Sequence, residues 1–122
     1  MEGTSVLSRH TFIRNLSPAT KQQLETFLDP NDLWKKLIIE IKLPGGGNKY
    51  SSNHVNVIEC EGNKKEQSPT RILLMDWGTT NATLGQLITA LAHAKIYSAA
   101  DFLNEEVLQW YPLHAETKSF IN

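Results

Sequence analysis

Asp76-Trp77-Gly78-Thr79-Thr80-Asn81-Ala82-Thr83-Leu84-Gly85 reads as the end of one helix and the start of another. Gly78 stands where a helix stops, at a position that tolerates a left-handed backbone. Thr79, Thr80 and Asn81 then offer three short polar side chains, the types that hydrogen-bond their own backbone in tight turns. Thr83 and Gln86 have the spacing of a capping box. Beyond them Leu84, Leu87, Ile88 and Leu91 recur at steps of three and four, the stripe of an amphipathic helix. Upstream, Ser68-Pro69 puts an N-capping side chain directly before a proline, where the missing N–H costs nothing. Ile72, Leu73, Met75 and Trp77 fill the helix opened there.

The same signals recur along the chain. Ser17-Pro18 and Asp29-Pro30 repeat the cap-and-proline start, and Ser98 with Asp101 is a near relative of the capping box. Leu24, Phe27 and Leu28 share one face, as do Leu33, Trp34, Leu37, Ile38 and Ile41. Val55 and Ile58 suggest a shorter helix after Ser51-Ser52; a strand there has no second strand to pair with. Helices are therefore predicted near 18–28, 31–42, 52–60, 69–77, 84–94 and 98–108, an all-α bundle of six. Pro44–Asn48 reads as a flexible glycine-rich loop and Gly62–Gln67 as a polar one. Residues 1–16 form an arm with room for an extra turn over Thr11–Leu16, residues 17–108 the domain, and residues 109–122 a tail. Trp34 and Trp77 fall on apolar stripes and read as core, whereas Trp110-Tyr111 lies past the last helix, packed back or free for a partner.

Several chemistries fail on residue type or spacing. Twelve basic and thirteen acidic side chains leave a net charge of −1, which rules out a general polyanion binder. A helix-turn-helix reading would place Gln86, Thr89 and Lys95, without arginine, on the recognition helix. Gly45-Gly46-Gly47-Asn48-Lys49-Tyr50-Ser51 lacks both the spacing and the preceding strand of a phosphate-binding loop. His10, His54, His93 and His114 do not pair at metal-ligand spacing, and Cys60 is the lone cysteine, so neither a metal nor a cofactor is expected. Cys60 reads as a small packed side chain; a cryptic enzyme site would need a concave pocket near Cys60 and His54. A single cysteine suits a reducing compartment, no apolar run approaches a membrane span, and no signal peptide is visible, which together point to the cytoplasm.

One ordered series adds what spacing alone does not. Trp34-Lys35-Lys36-Leu37, Ile41-Lys42-Leu43-Pro44, Tyr50, His54, Ser68-Pro69-Thr70 and Asp76–Gly85 resemble the N-terminal death domain of the interleukin-1-receptor-associated kinase, Tube and Pelle family. The series is most similar to the upstream kinase of that family and to insect Tube, and Tyr97-Ser98-Ala99-Ala100-Asp101-Phe102 is similar to Tube in particular. The resemblance covers about residues 10–108. It implies a six-helix antiparallel death-domain bundle without catalytic activity, working in innate immune signalling below Toll or interleukin-1 receptors. The implied partners are the death domains of a myeloid-differentiation-type adaptor and of a Pelle-type kinase, with no nucleic acid and no membrane insertion. The implied states are a monomer alone, and a heterodimer or higher-order helical assembly with partners. A kinase domain often follows in this family; none fits in 122 residues, which points to a piece of a longer protein or a kinase-free adaptor.

Carried over residue by residue, Arg14 matches an arm arginine that meets the adaptor, and Asp76, Thr79, Thr80 and Asn81 match a corner used in stacking. Lys35 and Lys36 match a basic pair at the start of the second helix, and Trp110 and Tyr111 fall in the tail that contacts Pelle in Tube. Gln22, Asn56 and Ile72 depart from charged residues of the vertebrate relative, so partner choice does not transfer wholesale. Because neither Asp76 nor Asn81 is expected in the core, replacing either should leave stability nearly unchanged. The charge is also uneven: Lys35–Lys49 holds four lysines against Glu40, and Ile96–Asn122 holds four acids against Lys118.

Overall fold

The computed structural model describes residues 7–107. Six α-helices follow in order: α1 Pro18–Leu28, α2 Leu33–Ile39, α3 Ser52–Lys65, α4 Pro69–Gly78, α5 Leu84–His93 and α6 Tyr97–Phe102. A 3₁₀ turn, Ile13–Asn15, precedes α1, and α6 runs on into a π-helical turn, Leu103–Val107. Among the described residues the only β pairing is two isolated bridges, Phe12 with Thr83 and Lys42 with Asn48. The all-α expectation therefore holds.

Three starts follow the predicted chemistry. Ser17 accepts from the Thr20 N–H, Ser68 from the Arg71 N–H, and Thr83 and Gln86 form a reciprocal capping box. A second box, Ser51 with His54, opens α3: the Ser51 N–H donates to His54 Nδ1 at 3.0 Å. Two other starts differ from the sequence reading. Asn31 and Asp32 both take left-handed backbone angles, so Pro30–Asp32 is a 3₁₀ turn and α2 begins only at Leu33. No side chain caps α6, which starts one residue earlier, at Tyr97, so Ser98 and Asp101 do not act as its box.

Asp29, freed from capping its own turn, reaches across the bundle. Its Oδ1 accepts from the Thr70 hydroxyl at 2.6 Å and from the Thr70 N–H at 3.2 Å. Among the described residues Thr70 is the one fully buried polar side chain, and this carboxylate accepts from both its hydroxyl and its N–H. The bond also ties the end of α1 to the first turn of α4. The core around it joins Ile13, Leu24, Leu28, Leu37, Ile41, Leu73, Leu84, Leu87, Leu91 and Leu103 with Trp34, at 1% exposure, and Trp77, at 5%.

The two polar segments take different forms. The helix α3 extends through Gly62 to Lys65 and stops at left-handed Glu66, so most of the expected 62–67 loop is helical. Gly62 serves close approach: a Cβ there would meet the Gln67 carbonyl at 2.9 Å, where the chain turns back into α4. The glycine loop at 45–47 is tied at its neck by Lys49 N–H to Ile41 O (3.0 Å) and Lys42 Nζ to Asn48 Oδ1 (2.6 Å), and Gly46 takes a φ of 104°.

Candidate interaction surface

The arm is bolted to the corner between α4 and α5. Ile13 N–H donates to Ala82 O (2.9 Å), Leu84 N–H to Thr11 O (2.7 Å) and Gly85 N–H to Arg9 O (2.8 Å). A Cβ on Gly85 would sit 3.0 Å from that Arg9 oxygen, so the glycine permits the arm's approach. The buried Ile13 pins the arm from below.

That arrangement aims Arg14 at the corner. Its Nη1 donates to Asn81 Oδ1 at 2.7 Å and to the Gly78 carbonyl at 3.3 Å, and its guanidinium stacks 4.3 Å from the centre of the Phe12 ring. Residues 67 positions apart thus form one surface. Asn81, with φ 61°, carries the left-handed turn. Gly78 does not: it remains the last residue of α4, its φ outside the left-handed region, with Arg14 packed over it. Thr79 and Thr80 donate back to the carbonyls of Asp76 (2.6 Å) and Trp77 (2.7 Å), satisfying the end of α4 while both residues stay exposed.

Asp76 has a second task that its spacing concealed. The hydroxyl of Tyr50, only 8% exposed, donates to Asp76 Oδ2 at 2.6 Å. Burial, and then this bond, raise the Tyr50 pKa well above the ordinary tyrosine value. Asp76 and Asn81 are both exposed, as expected of residues outside the core, and each also holds a structural bond.

The remaining candidates lie elsewhere. On α2, Lys35 bridges to Glu59 of α3 at 3.1 Å and to Asp32 at 3.6 Å, and the bond to Glu59 raises its pKa above the usual lysine range. Its neighbour Lys36 is exposed. Neither lysine shares a described hydrogen bond with the corner. Trp110 and Tyr111 lie outside the described residues.

Between α1, the arm and α4 runs a groove of about 530 Å³, lined by Arg14, Lys21, Glu25, Arg71, Leu74 and Met75 among others. Sequence reasoning missed it, because its walls come from two helices whose facing has no signature in spacing. A hollow of about 520 Å³ between the arm, α2 and α5 gathers His10, His93 and Glu40, yet no group of three metal-ligating side chains occurs among the described residues. The surface near Cys60 is a depression of about 290 Å³ lined by Asn56, Val57, Cys60, Glu61 and Lys64, without His54. Cys60 itself is exposed, which corrects its reading as a packed side chain: the extended α3 turns that face to solvent. No described helix is long and apolar enough to cross a membrane.

Six helices packed around one apolar core carry their polar features on outer corners. Residues 21–107 match the Death domain family, and the chain belongs to that family. It is similar to protein Tube of Drosophila virilis, 31% identical over 125 residues covering 81% of this chain and 24% of that protein. It is also similar to protein Tube of Drosophila melanogaster, 26% identical over 125 residues, covering 82% of this chain and 27% of the relative. The chain thus spans about a quarter of the length of these curated relatives. Among solved structures it matches a chain of the complex between the death domains of Pelle and Tube, with a TM-score of 0.75 and 28% identity over 84% of this chain and 85% of that one.

Proposed function

We propose that this chain is a Tube-like death domain of Toll-type signalling, which joins the death domain of a Pelle-type kinase to that of a myeloid-differentiation-type adaptor in the cytoplasm. The observation that carries this reading is the Arg14–Asn81 clamp, which fixes a cation from the arm beside exposed Thr79 and Thr80 on one rigid corner. A preformed corner binds with little ordering cost, so its polar groups can set partner choice. The similarity to Tube, and to a complex in which Pelle and Tube pair through their death domains, supports the identity of one partner class. Lys35 and Lys36 on α2 mark a second, separate contact face. Trp110 and Tyr111 belong to the same proposal as tail contacts.

Two faces of different character make contacts heterologous, so binding yields a heterodimer or extends into a helical stack, while the free domain stays monomeric. Size-exclusion chromatography at tens of micromolar tests this. The purified chain should elute alone as a monomer and co-elute with each partner death domain. Failure to co-elute with both would end the proposal.

A further inference from the structure

The hollow of about 520 Å³ between the arm, the end of α2 and α5 gathers charge of mostly one sign. Its volume falls within the range of about 300–1,000 Å³ typical of small-molecule sites. Ile41, Trp77 and Ala90, all buried, are its apolar lining. Basic side chains line it from three separate segments: Arg9 and His10 from the arm, Lys42 from the bridge after α2, and His93 from the last turn of α5. Two of these are held in place. The Arg9 carbonyl accepts from the Gly85 N–H at 2.8 Å, which fixes the backbone from which its guanidinium starts. Lys42 Nζ donates to Ile39 O at 3.2 Å and to Asn48 Oδ1 at 2.6 Å. Both acceptors are neutral, so the charge is not cancelled and a third ammonium donor remains. One carboxylate, Glu40, lines the hollow with them, as does the hydroxyl of Thr89.

We infer that this hollow binds a phosphorylated polyol, a small molecule carrying at least two phosphate groups together with free hydroxyls. Arg9 and Lys42 meet the phosphates, and each imidazole adds an N–H donor. Glu40 narrows the choice. It offsets one of the two permanent positive charges, so a monoanion gains little, and a second phosphate is needed to profit from the site. Its oxygens accept only from donors, which the hydroxyls of a polyol supply better than a largely deprotonated pyrophosphate. The chain's net charge of −1 excludes general polyanion binding, whereas one small ligand needs only this local excess. The inference goes beyond the reading of this chain as an interaction module and does not depend on it.

The test titrates inositol trisphosphate, pyrophosphate and myo-inositol calorimetrically into the parent chain, Arg9→Glu, Lys42→Met and the α3 surface control Lys64→Glu. Arg9 and Lys42 are exposed, so circular dichroism and thermal midpoints should stay close to the parent. Inositol trisphosphate should bind the parent and the control alike. Its Kd should rise about tenfold or more in both hollow variants, and should also rise with added salt. Pyrophosphate should bind the parent more weakly, and uncharged myo-inositol should give no heat. Phosphatidylcholine vesicles with and without phosphatidylinositol bisphosphate identify the source of the phosphates. Sedimentation with the loaded vesicles alone, lost in Arg9→Glu, assigns them to a lipid headgroup; soluble binding without sedimentation assigns them to a free polyol phosphate. Parent-like affinity in both hollow variants, or no binding of the parent in either arm, overturns the inference. Pyrophosphate binding as tightly as inositol trisphosphate overturns the ligand class.

Discussion

Replacing Asp76 by alanine should change sign in its effect on stability according to whether Tyr50 keeps its hydroxyl. In the parent, the substitution removes the acceptor of a 2.6 Å bond from a phenol that is 8% exposed. A hydrogen bond to a charged group is worth about 1.5–3 kcal/mol net; the exposure of Asp76 favours the lower end, about 1.5 kcal/mol. Alanine is a better helix former than aspartate, and an acid in the last turn of α4 opposes the helix dipole, which together return about 0.5–1 kcal/mol. The net loss is about 0.5–1 kcal/mol in the parent. In a Tyr50→Phe background the bond is already gone, so Asp76→Ala should stabilise by about 0.5–1 kcal/mol. Urea denaturation of the four proteins, with equal m-values as the check on two-state behaviour, measures the cycle. A coupling below about 0.5 kcal/mol, or destabilisation of similar size in both backgrounds, would refute the assignment of Asp76 as Tyr50's partner.

Three further outcomes follow from the same packing. Asp29→Ala should cost about 2–4 kcal/mol, because it orphans the buried Thr70 hydroxyl and an N–H of α4's first turn; a urea midpoint within error of the parent would contradict it. Gly62→Ala should destabilise despite alanine's advantage of about 1 kcal/mol in a helix, since the new Cβ meets the Gln67 carbonyl at 2.9 Å; a gain in thermal midpoint would show that the turn yields. The raised Tyr50 pKa means that the folded chain holds a proton which the unfolded chain releases near pH 10, so its contribution is full below that pH and is lost as pH rises above it. Ultraviolet titration should show Tyr50 resisting ionisation above pH 10, and Tyr50→Phe should flatten the alkaline loss of stability.

The helices were legible because their starts are local chemistry. Ser17, Ser68 and Thr83 cap through bonds three residues long, and the apolar stripes follow a period that the backbone imposes. Three details were not legible because each depends on a partner distant in sequence. Asp29 looked like a cap for its own turn and instead serves Thr70, 41 positions on. Gly62 looked like a helix breaker because the carbonyl it accommodates is seen only when α4 folds back. The left-handed turn falls to Asn81 and not to Gly78, since Arg14 packs over the glycine and holds the asparagine. The corner residues themselves were named from resemblance, but the bond joining Arg14 to Asn81, and the groove beside it, appear only in three dimensions.

The central claim is that the clamped corner binds a partner death domain. It is tested most directly by the affinity of a Pelle-type death domain for the parent, Arg14→Glu and Asn81→Gly. Glycine accepts the φ of 61° at position 81, so that variant removes the clamp while keeping the turn. Both variants should raise the Kd about tenfold or more per folded molecule, with most of the thermal stability retained. Loss of stability with affinity per folded molecule unchanged would show that the corner only holds the fold together.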